Sequence, residues 1–194
     1  MISVENYNTN RGIYSPLIEH NGIICGYWLV GQDYHNKSGY YGAYPPSYLK
    51  RMKLLFPEVK KPVVHLFAGK VETGFWPVEM RVDSNSLVAP DICADAENLS
   101  MLPDGFTDLL LADPPYNNNH KKYGVPKVNK KKVLKECARL VAIGGHLVWL
   151  DTSIPMWAKI DGWALRGTIG LNQSTNHLTR TITILEKVRA GGRL

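Results

Sequence analysis

The stretch "LLLADPPYNNN", residues 109–119, places an acid, two prolines and an aromatic ring directly after an apolar run. Two consecutive prolines fix the direction of the backbone and remove two N–H donors, so bare carbonyls and the Asp113 carboxylate are left as acceptors aimed at one place. A simple turn gains nothing from a tyrosine at that point. That makes Asp113, Pro114, Pro115 and Tyr116 the candidate functional residues. Just beyond them come Asn117, Asn118 and Asn119. Lys121, Lys122, Lys127, Lys130, Lys131, Lys132, Lys135 and Arg139 then fall within 19 residues. A cationic run so close to the acid is expected to contact phosphates.

These residues need a frame. Short apolar runs recur along the chain, "VVHLF" (63–67), "MRVD" (80–83), "DLLLAD" (108–113) and "HLVWL" (146–150), alternating with helix-compatible segments such as "NKKKVLKECARLVAIGG" (129–145). Unbroken apolar strands separated by crossovers predict a doubly wound α/β fold with a mostly parallel sheet. "WALRGTIGL" and "TRTITILEKV" flank the polar "NQSTNH", which predicts a C-terminal antiparallel hairpin. Eight of the ten tyrosines lie in the first 48 residues, and the composition changes near Pro45 and Pro46. The reading is therefore a leader over residues 1–44, a main domain over 45–188 and a frayed tail over 189–194. In the leader "GIICGYWLV" reads as a strand and "GQDYHNKSGYYG" as a loop. "PSYLKRMKLLFP" places Tyr48, Leu49, Met52, Leu55 and Phe56 on one helical face. Tyr27, Trp28, Tyr34, Tyr40 and Tyr41 are expected to pack on the core rather than to grip bases.

Ligands of open parallel sheets bind outside the carboxyl ends of the strands. At those ends stand Gly69, whose missing side chain lets backbone approach a ligand, and Asp83, 18 residues after His65, where an acid can accept from a ribose diol. Asp95 and Asn98 come next, where a carboxylate can accept from an adenine amine, and Asp113 closes the series.

The whole composition is that of one ordinary domain, with 194 residues and 44% hydrophobic content. The net charge of +6 and the pI near 9.2 favour a polyanionic partner. Cys25, Cys93 and Cys137 form no CxxC pair, and His20, Cys25 and His35 lack coordination spacing, so no disulfide framework, zinc site or other metal is expected. No apolar run approaches the ~20 residues that cross a bilayer, and "MISVENYNTNRG" lacks the blocks of a signal peptide. The expectation is a cytoplasmic protein with no membrane partner.

The residues resemble the S-adenosylmethionine-dependent amino methyltransferases that modify adenine N6 or cytosine N4 in nucleic acids. Their (D/N/S)PP(Y/F/W) hallmark is matched by Asp113, Pro114, Pro115 and Tyr116. Their "DPFAGSGT"-like cofactor loop is matched by Phe67, Ala68 and Gly69 in "HLFAGKVETG", with His65 in place of the usual acid and Val71 in place of the second glycine. "AYPPSYLKRMKLLF" is similar to the segment that precedes that loop. The resemblance covers about residues 44 to 188. It implies a class I, Rossmann-like methyltransferase fold, S-adenosylmethionine as cofactor, and a cofactor site built from Tyr44, Pro45, His65, Phe67, Ala68, Gly69, Asp83, Asp95, Ala96 and Asp113. It also implies a flipped adenine in DNA as substrate, with Asn117, Asn118, Asn119, Lys121, Lys122, Lys127, Lys130 and Lys131 as nucleic-acid contacts. Only the leader and residues 117–129 are left to read sequence, so specificity should be short or relaxed, as in small phage or mobile-element enzymes. RNA adenine N6 and DNA cytosine N4 are the alternatives. A degenerate noncatalytic subunit is a third, motivated by His65 and Val71. Methylation at carbon 5 of cytosine is disfavoured, because it uses a cysteine after proline and these cysteines follow Ile24, Ile92 and Glu136.

Overall fold

Strands buried on both faces need apolar side chains at every position, since the pleat turns successive residues to opposite sides. The computed structural model describes residues 1–31, 44–116, 127–174 and 176–191. In it the four apolar runs become β3 (Val63–Leu66), β4 (Glu79–Asp83), β6 (Thr107–Ala112) and β7 (Val141–Asp151), with a two-residue β5 (Ile92–Cys93) beside β4, followed by the hairpin β8 (Trp163–Gln173) and β9 (Asn176–Lys187). Two strands precede them, β1 (Leu17–His20) and β2 (Ile23–Val30). The helices are α1 (Val4–Asn10), α2 (Tyr48–Leu55) and α3 (Lys130–Leu140). The described strands form one sheet in the order β1-β2-β8-β9-β7-β6-β3-β4-β5. The strands from β7 to β5 run parallel to one another, and β9 pairs antiparallel with both β7 and β8. This is the expected doubly wound sheet with its C-terminal antiparallel hairpin.

β6 divides its side chains between two cores. Leu109 and Leu111 join the α2 side with Met52, Leu55 and Phe56, whereas Leu110 and Ala112 join the α3 side with Val133, Leu134 and Cys137. The amphipathic reading of α2 holds: Tyr48, Leu49, Met52 and Leu55 are buried, and Phe56 ends the helix.

Two expectations fail locally. The crossovers β3–β4, β4–β5 and β5–β6 are irregular apart from a single 3-10 turn at Ser86–Val88, because Pro77, Pro90 and Pro103 interrupt segments too short for a helix. The helix expected over 129–145 stops at Leu140, and Val141 opens β7. Branched Val141 and Ile143 favour the extended form there.

Residues 1–31 of the leader are built into the fold. Ser3 caps α1 by accepting from the Asn6 N–H at 3.0 Å. Asn21 and Gly22, with φ of 50° and 73°, make the tight turn of the β1–β2 hairpin. β2 pairs parallel with β8 from Ile24↔Gly167 to Val30↔Gln173. Trp28 is fully buried, stacked 5.9 Å from Tyr7, in the same core as Leu150, Ile169 and Ile182. Tyr27 lies on the opposite face, half-exposed. Tyr34, Tyr40 and Tyr41 lie outside the described residues, as do 192–194 of the tail. Among the described residues no helix is long and apolar enough to cross a membrane.

If the leader shares the core, truncating its largest buried side chain must weaken the whole domain. Trp28→Ala is expected to lower unfolding stability by about 3–5 kcal/mol, seen as a lower urea midpoint with an unchanged slope. An unmoved midpoint would make the leader an appendage.

Candidate functional site

Asp113 follows the last residue of β6 at the carboxyl edge of the sheet, where Leu111 pairs with His65 of β3 and Ala112 with Trp149 of β7. It keeps the phase of Leu109 and Leu111, which turns it toward α2. Pro114 behind it is buried, and Asp113 and Tyr116 are half-buried. The Tyr116 hydroxyl donates to Asp113 Oδ1 at 2.6 Å. Above them Tyr44 and Tyr48 stack 4.8 Å apart, and the Tyr44 hydroxyl donates to the Leu111 carbonyl at 3.4 Å. Burial pushes the Asp113 carboxyl up to about 7, against the pull of the Tyr116 hydrogen bond and the Arg180 charge, with the charge of Asp151 adding to the rise. Burial, reinforced by the Asp113 charge, also drives the phenols of Tyr44, Tyr48 and Tyr116 well above their usual range. All three remain protonated around the acid.

The second half of the site is the turn after β3. Phe67 and Gly69 both take left-handed conformations, with φ of 59° and 53°, a geometry that glycine tolerates and phenylalanine adopts at a cost. Asp83 braces it. Its Oδ2 accepts from the Gly69 N–H at 2.7 Å and its Oδ1 from the Asn85 N–H at 2.8 Å. Each carboxylate oxygen keeps accepting capacity for a hydroxyl. Ala68 and Pro45 are buried, and Phe67 packs against the α3-side core. After β5, exposed Asp95 accepts from the Glu97 N–H at 2.9 Å through Oδ1, and the Ala94 N–H donates to the Asp83 carbonyl at 3.0 Å, which ties the two strand ends together. The Ala96 side chain is buried with Leu99.

Some expected groups lie elsewhere. His65 is fully buried and its Nε2 is 3.0 Å from Glu79 Oε2, facing the start of β4 rather than the carboxyl rim. Glu79 Oε1 accepts from the N–H groups of Gly74 and Trp76 at 2.7 and 2.8 Å. His65 therefore helps fasten the irregular crossover, and its ring centroid lies 6.0 Å from that of Tyr44. Lys130, expected on phosphate, instead donates to buried Asp151 at 2.5 Å. Lys127 and Lys131 are exposed. Asn117, Asn118, Asn119, Lys121 and Lys122 lie outside the described residues. Among the described residues no group of three or more His, Cys, Asp or Glu is placed to hold a metal.

Four residues that surround or brace the site are not singled out by the sequence: Tyr48, which reads only as core, and Glu79, Asp151 and Arg180. Arg180 had a signal, because it shares the buried phase of Ile182 and Ile184 on β9.

No protein-family model matches the chain, and no curated protein matches it. Solved structures share the fold. TrmN from Thermus thermophilus superposes with a TM-score of 0.52 and 19% identity over 78% of this chain and 51% of its own, so the chain spans about half the length of TrmN. The N-methyltransferase NodS from Bradyrhizobium japonicum WM9 gives a TM-score of 0.50 and 11% identity over 73% of this chain and 93% of its own. PH0851 gives 0.50 and 13% over 93% and 55%. The fold is the class I, Rossmann-like methyltransferase fold.

The raised Asp113 carboxyl carries a stability signature. Its folded value, about 7, lies above the usual 3.8, so its contribution to stability is complete below about pH 4 and is lost as pH rises through about 7. Asp113→Asn removes that loss, and its melting temperature should exceed the wild type's by a margin that widens between those limits. Burial lowers His146 to about 4, which destabilises both proteins in the opposite direction, as pH falls below 6.5, and cancels in the comparison. A margin constant with pH would mean that Asp113 titrates as an ordinary carboxylate.

Proposed function

We propose that this protein transfers a methyl group from S-adenosylmethionine to the exocyclic N6 amine of adenine in DNA, with short or relaxed sequence specificity. The observation that carries this reading is the Asp113 to Tyr116 turn, set at the carboxyl edge beside the Phe67 to Gly69 turn that Asp83 braces. The donor set suits the cofactor: Asp83 retains acceptors for the ribose diol, Asp95 stands at the next strand end for the adenine amine, and the neighbouring carboxylates suit a cation. Bound there, S-adenosylmethionine supplies an electrophilic methyl group on a positively charged sulfur.

The chain's own residues then have three tasks. The Asp113 carboxylate and the Pro114 carbonyl accept hydrogen bonds from the two N6–H groups, favouring a pyramidal nitrogen whose lone pair is free to attack. As the new N–C bond forms, one proton must leave, and a carboxyl raised to about 7 is a far better acceptor than one near 4. Tyr116 offers a stacking face worth ~1–3 kcal/mol, which offsets part of the few kcal/mol needed to extrude a base from a duplex. Since the Tyr116 hydroxyl already occupies Asp113 Oδ1, that oxygen must be released or shared as the amine arrives. Exposed Lys127 and Lys131 remain for the backbone phosphates.

Isotopically labelled S-adenosylmethionine, supplied with DNA and with RNA in parallel, decides the matter when the modified nucleoside is identified by mass spectrometry. The expected product is N6-methyladenine in DNA, with Asp113→Ala lowering transfer by at least ~100-fold. Undiminished transfer in that variant would reject the role of Asp113. Label in RNA alone, or as N4-methylcytosine, would reassign the substrate.

A further inference from the structure

Arg180 stands where β9 should carry an apolar side chain. It pairs with Leu171 of β8, keeps the phase of Ile182 and Ile184, and is only 7% exposed. Its Nη2 donates to Gln173 Oε1 at 2.6 Å, and its Nε has no acceptor among the described residues. Among the described residues no carboxylate lies at salt-bridge distance from this guanidinium, and a buried guanidinium so placed is destabilising unless another field compensates. The compensation lies on the same face. Ala112 of β6 pairs with Trp149 of β7 and Asp151 of β7 with Thr181 of β9, which brings Arg180 to the same edge of the sheet as Asp113, two strands away, where its charge pulls down on the Asp113 carboxyl and the Tyr116 hydroxyl. The Tyr48 hydroxyl, fully buried and also without a partner among the described residues, feels both the guanidinium and the acid.

We infer that Arg180 is a positioning residue: anchored by Gln173, its guanidinium charge biases the Asp113 carboxyl toward its anionic, proton-accepting form. This rests on the reading of Asp113 as the group that receives the amine proton. Among the described residues the groups facing Asp113 are Tyr116 from its own turn, Tyr44 and Tyr48 from α2 and its lead-in, Arg180 from β9, and Asp151 from β7. Asp151 is itself paired with Lys130 of α3. Arg180 is the cation among them that acts directly on the acid. Near neutral pH the carboxyl sits close to its midpoint, so a modest change in this field alters the fraction able to accept a proton.

The experiment follows the Asp113 carboxyl carbon by 13C NMR through a pH titration of the full chain without substrate, and then the pH profile of kcat/KM with DNA. Arg180→Met should raise the Asp113 midpoint by about one pH unit and move the acid limb of the profile the same way. Arg180→Lys should stay near the wild type. An Arg180→Met protein that is folded by circular dichroism and titrates with the wild type overturns the inference. Should that variant not fold, Gln173→Leu unties the guanidinium from its anchor and is expected to move the midpoint upward by a smaller amount; no movement there overturns it equally. A wild type that transfers no methyl group while the midpoint moves would remove the proposed reaction and leave the electrostatic role of Arg180 standing.

Discussion

The hydrogen bond from Tyr116 to Asp113 Oδ1 marks a constraint that shapes much of this structure: a carboxylate has to be held at the edge of a buried strand, partly out of water. Desolvation disfavours its charged form, and neighbours on several elements answer that penalty. Tyr116 gives a donor, Arg180 gives charge, and Lys130 engages Asp151, whose own negative charge adds to the rise at Asp113. The backbone contributes by ending the strand there. After Ala112, two prolines bring no N–H to a further ladder, so β6 ends at the point where its next side chain emerges at the rim.

The same logic governs the turn after β3. A left-handed phenylalanine persists only when its surroundings over-determine it, and here they do. The Ala68 N–H bonds to the Val82 carbonyl at 3.2 Å, the Gly69 N–H to Asp83, and the Val71 N–H to the Ala68 carbonyl at 3.1 Å. Further along, the crossover has no helix of its own and is fastened by Glu79, which accepts from two backbone N–H groups and bonds to His65. The crossover that follows the turn is thus tied to β3 by a buried polar contact between His65 and Glu79.

Much of this was legible in the sequence because apolar runs and turn chemistry are local. "DLLLAD" and "VVHLF" read as buried strands, the prolines marked the end of β6, and the carboxyl-end acids fell where parallel topology brings them together. The β1–β2 hairpin was equally legible, since "HNGII" contains an Asn-Gly turn, yet only its second strand was read. The crossovers were misjudged because helix-compatible composition says little without sustained periodicity. Arg180, Glu79 and Asp151 are a different case. Each is an ordinary charged residue in a strand sequence, and the fold sets its partners: Lys130 for Asp151, Gln173 for Arg180, and His65 with the Gly74 and Trp76 N–H groups for Glu79. Phase was the usable clue, because a charge in step with Ile182 and Ile184 cannot point to water.

The net charge of +6 becomes more specific once the cations are located. On α3 the basic run is largely committed to internal partners: Lys130 to Asp151, Lys132 to Glu97 at 3.6 Å, and Arg139 to Glu136 and Asp104 at 2.9 Å each. Arg139 also donates to the carbonyls of Leu99 and Leu102, which fastens the β5–β6 crossover to the helix. Pairs exposed to solvent contribute little stability, but each holds a side chain in one direction and makes it a poorer competitor for phosphate. Lys127, Lys131 and Lys135 remain exposed on this segment. A polyanion approaching the Asp113 rim would therefore meet fewer available cations here than the count of basic residues suggests. Its attraction would rest more on the field of the whole molecule, which acts at long range and weakens with added salt, than on a row of fixed contacts along α3.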